Sequence, residues 1–228
     1  MTTANRLDPA TFPQADAKLS LFGPAGELEA ATREPDAAHQ RPGTAIICHP
    51  HSLHGGNLDN KVVTMTERAL RESGLRTVRF NFRGVGASAG SYDEGNGEME
   101  DLVAVAQWVR KVRPDDQLWL AGFSLGSFVV YKAARHLTPD FLILIAPPVA
   151  KWPFQAIVAP ACPWLVVQGD ADDIAPPQAV VEWVLSMPDP PALIRLPDAD
   201  HFFHRRLMDL RGAIKHQIKA HLPAAAED

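Results

Sequence analysis

One serine between two glycines constrains this chain most. The apolar run Leu118-Trp119-Leu120-Ala121 leads into Gly122-Phe123-Ser124-Leu125-Gly126, and Phe128-Val129-Val130-Tyr131-Lys132-Ala133-Ala134 follows at helical spacing. The pattern is G-x-S-x-G in a strand-turn-helix context. Glycines on both sides let the turn be tight and let strand and helix pass closely. The hydroxyl is then held at the C-terminal edge of a sheet, above the free N–H groups and positive dipole end of the helix. A plain strand-to-helix turn with a capping serine is the alternative, and the full context weighs against it.

Strands and helices alternate around this turn. Residues Ala17 to Phe22 and Glu27 to Thr32 read as an antiparallel hairpin across Gly23-Pro24-Ala25-Gly26. Strands are expected at Thr44–Cys48, Arg76–Phe82, Gln117–Ala121, Phe141–Ile145, Trp164–Gln168 and Ala192–Leu196. Helices are expected at Lys61–Ser73, Glu98–Val112, Leu125–His136, Gln178–Met187 and Arg205–His221. Such alternation predicts an α/β fold with a mostly parallel twisted sheet and helices on both faces. No internal repeat or interdomain linker interrupts it, so residues 1–228 read as one domain, with loose tails at 1–13 and 223–228.

A serine hydroxyl attacks well only when a base takes its proton and an acid orients that base. For an elbow of this kind the chain order is serine, acid, histidine. The acid is expected in Gln168-Gly169-Asp170-Ala171-Asp172-Asp173-Ile174-Ala175-Pro176, just past a strand end. Asp172 is the first choice by its offset from the glycine, Asp170 the second, and Asp173 is better placed to cap the next turn. The base is expected in Asp198-Ala199-Asp200-His201-Phe202-Phe203-His204. His201 falls in the loop, and His204 is assigned to the first turn of the last helix.

An acyl-transfer oxyanion needs two donors already in place. The N–H of Leu125, next after the serine, is one. The second is expected from His49-Pro50-His51-Ser52-Leu53-His54-Gly55-Gly56, and by position it is the N–H of His51. Three histidines here invite a metal reading, but neither cysteine nor carboxylate stands within the cluster and the spacing matches no known site. No metal and no other cofactor is therefore expected. The glycines of Asn81-Phe82-Arg83-Gly84-Val85-Gly86-Ala87-Ser88 fail the G-x-G-x-x-G spacing and read as a tight loop bordering the site.

Composition narrows the partners. Of 228 residues, 46% are hydrophobic and 21% charged, which supports a substantial core and argues against disorder. A net charge of −5 gives no basic surface for nucleic acid. No run approaches the ~20 apolar residues of a membrane span, and the polar start shows no leader. The chain thus reads as soluble and cytoplasmic, with no nucleic-acid or membrane partner. Cys48 and Cys162 are too few for a disulfide framework and read as reduced, buried thiols.

Taken together, Gly122 to Gly126, the Gly169 to Pro176 loop and Asp200-His201 resemble the α/β-hydrolase superfamily. Within it the chain is similar to a group of compact bacterial serine hydrolases. The further matches are His49-Pro50 with Gly55-Gly56-Asn57, Asp59-Asn60-Lys61-Val62-Val63, Arg79-Phe80-Asn81-Phe82-Arg83-Gly84 and His201-Phe202-Phe203. The resemblance implies an α/β-hydrolase fold and a triad of Ser124, Asp172 and His201. The implied activity is esterase-like hydrolysis of a small-molecule ester or thioester through an acyl-serine. Many members carry proline where this chain has Ser52, which leaves the local shape of the oxyanion loop open. Only residues 146–161 separate two strands where larger relatives insert a helical cap, so no cap domain is expected. Trp152 and Phe154 are then candidate walls of an open site, or surface packing over the sheet. A peptidase or amidase of the same fold is the nearest alternative activity. A binding protein on a hydrolase scaffold is the alternative of another class.

Overall fold

A computed structural model describes residues 9–225. Its eight strands form one sheet in the order β1-β2-β4-β3-β5-β6-β7-β8. They are β1 (Ala17–Gly23), β2 (Gly26–Arg33), β3 (Gly43–Cys48), β4 (Arg76–Phe80), β5 (Gln117–Phe123), β6 (Phe141–Ile145), β7 (Trp164–Gly169) and β8 (Ala192–Leu196). The β1–β2 and β2–β4 pairs are antiparallel and the remaining pairs are parallel. Five α-helices complete the architecture: α1 (Lys61–Arg71), α2 (Gly97–Val112), α3 (Leu125–Leu137), α4 (Pro177–Leu185) and α5 (Leu207–Ile218).

The central strands are buried on both faces, which is why they read as unbroken apolar runs rather than alternating ones. Period-two geometry sends Ile46, Leu118, Leu120, Leu142 and Val166 to one core, where α2, α3 and α4 cover them. It sends Ala45, Ile47, Trp119, Ile143 and Val167 to the other, beneath α1 and α5. Helices thus cover both faces, and each buried aliphatic side chain contributes about 1.5–3 kcal/mol relative to exposure.

Several boundaries differ from the sequence expectation, each for a local reason. Strand β4 ends at Phe80 rather than Phe82, because the Phe82 N–H leaves the ladder and donates to His49 Nε2 at 3.0 Å. Strand β5 runs on to Phe123, since Gly122 and Phe123 still pair with Leu144 and Ile145. Helix α5 starts at Leu207, not Arg205, because Phe203 and Arg205 have positive φ values of 54° and 59°. His204 therefore lies in the preceding turn, where it pairs with Asp200 at 2.7 Å. The expected loose start also ends earlier. Phe12 is buried and stacks on Trp108 with centroids 5.6 Å apart, while Trp108 Nε1 donates to the Pro9 carbonyl at 2.9 Å. Residues 1–8 and 226–228 lie outside the described residues. Of the expected C-terminal tail, Pro223 is buried and its carbonyl accepts from Arg41 at 2.5 Å.

Candidate active site

The turn at Ser124 joins β5 to α3 with φ 54° and ψ −119°, a conformation that costs about 1–3 kcal/mol for a residue with a side chain. Its surroundings hold it there. The Ser124 N–H donates to Ile145 O at 2.9 Å, and Ser124 O accepts from the Ser127 hydroxyl at 2.5 Å. The flanking glycines are required by close approach. A Cβ on Gly122 would collide with the Gly126 carbonyl, and one on Gly126 with the carbonyls of Cys48 and His49.

A hydrogen-bond chain runs from the serine through two strand ends. His201 Nε2 stands 3.0 Å from Ser124 Oγ, and His201 Nδ1 stands 2.8 Å from Asp172 Oδ2. Asp172 Oδ1 accepts from the N–H groups of Ile174 at 2.9 Å and Ala175 at 2.7 Å. The carboxylate therefore leaves Nδ1 as the imidazole's N–H and Nε2 free to accept from the hydroxyl. Of the three competing aspartates only Asp172 enters this chain. Asp170 turns outward to Arg195 at 2.7 Å, and Asp173 is exposed.

The loop after β3 forms the opposing wall. His49 is fully buried, with Nδ1 at 2.6 Å from Pro50 O and Nε2 accepting from Phe82 N–H. Burial lowers its pKa to about 4, so the ring is neutral and fixed. His51 caps a short 3-10 turn at Ser52–His54, its Nδ1 accepting from Leu53 N–H at 3.3 Å. Its Nε2 then carries the proton and meets the Tyr92 hydroxyl at 3.1 Å. The His51 ring lies 4.4 Å from that of His54 and 4.7 Å from that of Tyr92. Its pKa is lowered, by burial first and by His54 second. Among the described residues no acceptor takes the N–H of His51 or of Leu125. Ser52 begins the short turn, and the loop closes behind it through the Gly56 N–H, which donates to His51 O at 3.1 Å.

A cleft of about 290 Å³ opens between these walls, lined by Pro50, His51, His54, Ser124, Ile174, His201 and Phe202 among others. Ser124 itself is 8% exposed. Trp152 and Phe154 do not line it. Trp152 packs on Phe128 at 4.9 Å, and Phe154 is buried against Phe128, Tyr131 and Trp183. Of the three loop histidines, His49 turns into the core while His51 and His54 stack at the cleft. Among the described residues no group of three or more His, Cys, Asp or Glu is arranged to hold a metal ion. Cys48 is buried in the core, which pushes its thiol pKa well up, and Cys162 is half-buried. The Gly84–Gly90 loop is fixed by Arg83, whose Nη2 lies 2.8 Å from the buried Asp101. It delivers Tyr92 to His51. Local sequence specifies neither that contact nor the approach of Gln168 Nε2 to Asp172 Oδ2 at 3.0 Å. A glutamine near the end of an otherwise apolar strand is the available signal for the second.

Sheet order, elbow and the uncapped site together define an α/β serine-hydrolase fold without a lid. The chain belongs to the alpha/beta hydrolase domain family, whose sequence profile matches residues 45–225. It is similar to an α/β serine hydrolase without lid from Xanthomonas campestris, at 54% identity over 95% of this chain and 99% of that one, with a TM-score of 0.92. It is also similar to an α/β serine hydrolase homologue from Coxiella burnetii (43% identity, 91% and 100% covered, TM-score 0.88). An uncharacterised protein of Rickettsia prowazekii is 32% identical over 207 residues, 86% of each chain.

Proposed function

We propose that this chain hydrolyses carboxylic esters or thioesters of short acyl groups through an acyl-serine intermediate. One observation supports the reading: the unbroken chain Ser124–His201–Asp172 opens into a cleft that His51 also lines, and among the described residues the N–H groups of His51 and Leu125 meet no acceptor. His201 takes the Ser124 proton as Oγ bonds to the acyl carbon. Charge moves to the carbonyl oxygen, where the N–H groups of His51 and Leu125 receive it. Asp172 holds the imidazolium that results. His201 passes its proton to the departing alcohol or thiol, and the ester bond breaks. A water molecule then gives a proton to His201 as its oxygen bonds to the acyl carbon; the Oγ–acyl bond breaks, His201 returns the proton to Ser124 Oγ, and the acid leaves.

The test is labelling by a fluorophosphonate probe together with turnover of p-nitrophenyl acetate and butyrate and of short acyl-CoA thioesters. Wild type should label and turn over at least one of these substrates. Ser124→Ala should keep the fold and lose both properties. A Ser124→Ala variant with wild-type turnover, or an intact wild type inert to probe and substrates, would remove the reading.

A further inference from the structure

Gln168 is the penultimate residue of β7, with a fully buried side chain in a strand of apolar neighbours. Its Nε2 lies 3.0 Å from Asp172 Oδ2, 3.0 Å from Ala175 O and 3.1 Å from Gly169 O. Its Oε1 is buried with no hydrogen-bond partner among the described residues. A primary amide offers two N–H bonds and one carbonyl. Here three acceptors crowd the donor end and no donor meets the other. Turning the amide over would aim Oε1 at a carboxylate and two carbonyls, so the surroundings fix its orientation electrostatically.

The two oxygens of Asp172 are held differently. Oδ1 takes both N–H groups of its own turn, from Ile174 and Ala175. Oδ2 takes only side-chain donors, His201 and Gln168. Oδ2 is the oxygen that His201 reads, and Gln168 is the donor on it that lies outside the Ser124–His201–Asp172 chain. Rotation of the carboxylate about its Cβ–Cγ bond would cost both.

We propose that Gln168 is a positioning residue, whose amide keeps Asp172 Oδ2 in line with His201 Nδ1 through a donor that carries no charge. This rests on the hydrolase reading above. The amide differs from a second charged partner in one respect. It orients the carboxylate without neutralising it, so the full negative charge stays available to the imidazolium.

Two substitutions test this. Gln168→Met keeps the stem and removes the donor. Its kcat should fall about 10- to 100-fold, the scale of one hydrogen bond to a charged group, with KM little changed. Gln168→Glu restores a donor while its carboxyl is protonated and places a second negative charge about 3 Å from Asp172 once it ionises. The ratio of its kcat to that of wild type should therefore fall as pH rises, whereas the Met ratio should stay flat. The other titratable or charged groups near the site are Asp170 with Arg195, Asp173, Asp200 with His204, and His51 and His54 across the cleft. They are common to all three proteins and cancel in the ratio.

A folded Gln168→Met with wild-type kcat overturns the proposal, as does a Gln168→Glu ratio that is flat with pH. If the Met variant does not fold, the pH trend of the Glu variant decides alone. Wild-type and Ser124→Ala data separate the two failures. An inert wild type defeats the hydrolase reading and this inference with it, whereas an active wild type matched by Gln168→Met defeats this inference only.

Discussion

Mild acid should destabilise the fold through His49. Its imidazole is wholly buried, accepts from the Phe82 N–H and sits against Pro50 O, and burial lowers its pKa from 6.5 to about 4. In the unfolded chain the ring returns to its ordinary value. Between 6.5 and about 4, then, the unfolded state binds a proton that the folded state refuses. The stability owed to neutral His49 is fully present above the upper value, drains away as pH falls through this window, and changes no further below it. At about 1.4 kcal/mol per pKa unit, moving from about pH 7 to about pH 4.5 should remove about 2 kcal/mol. The assay is urea denaturation followed by tryptophan fluorescence at both pH values, for wild type and His49→Gln. Glutamine can still accept from Phe82 but does not titrate there. Wild type should lose about 2 kcal/mol more than the variant over the interval. Equal losses would show that His49 is not held neutral by its burial, and the reasoning would fail.

Asp172→Asn should cut turnover by about 10⁴-fold in kcat, while Asp170→Asn, whose carboxylate faces Arg195, should change it little; kcat from the same ester substrate compares them. A large loss at Asp170 with little at Asp172 would reverse the assignment. Gly126→Ala should destabilise the fold by about 1–3 kcal/mol in urea unfolding, because the new methyl meets the Cys48 and His49 carbonyls on a central strand that cannot retreat; a variant as stable as wild type would contradict that packing. Specificity across p-nitrophenyl esters from acetate to palmitate should plateau early, since the 290 Å³ cleft has no cap above it and each further CH₂ would return about 0.8 kcal/mol only if enclosed. A steady climb in kcat/KM through the long chains would reveal an acyl tunnel.

What was legible in the sequence was what local backbone chemistry dictates. The elbow could be read because a tight strand-to-helix turn leaves no room for a Cβ at Gly122 or Gly126. Asp172 could be preferred over its neighbours only by its offset from Gly169, the place where this fold usually carries its acid; its bonds from the N–H groups of Ile174 and Ala175 appear only in the folded turn. Long-range contacts left no such trace. Nothing local links Tyr92 to His51, Phe12 to Trp108 or the Phe82 N–H to His49, because each joins elements whose approach depends on the assembled sheet. The same holds for His204. Helical spacing continued through it, but positive φ values at Phe203 and Arg205 hold the turn open, and no periodicity encodes them.

The parallel strands explain why three residues so far apart in sequence meet. Strands β5, β7 and β8 run the same way, so the turns after Phe123, Gly169 and Leu196 emerge along one edge of the sheet. Reversing any one of them would send its side chain to the opposite edge. Strand β6 lies between β5 and β7, and it too ends here, its Ile145 carbonyl anchoring the Ser124 N–H. The chain after β6 is where a cap would begin. Instead it folds Phe154 down into the aromatic layer of Tyr131, Trp164 and Trp183. That segment cannot swing over the serine without withdrawing a buried phenylalanine, at a cost of about 1.5–3 kcal/mol. Cover for a bound acyl group therefore falls to the loop walls, the stacked His51 and His54 rings on one side and Phe202 on the other. On the proposed reading, a site bounded in this way should hold short acyl groups by its walls and leave longer ones in water.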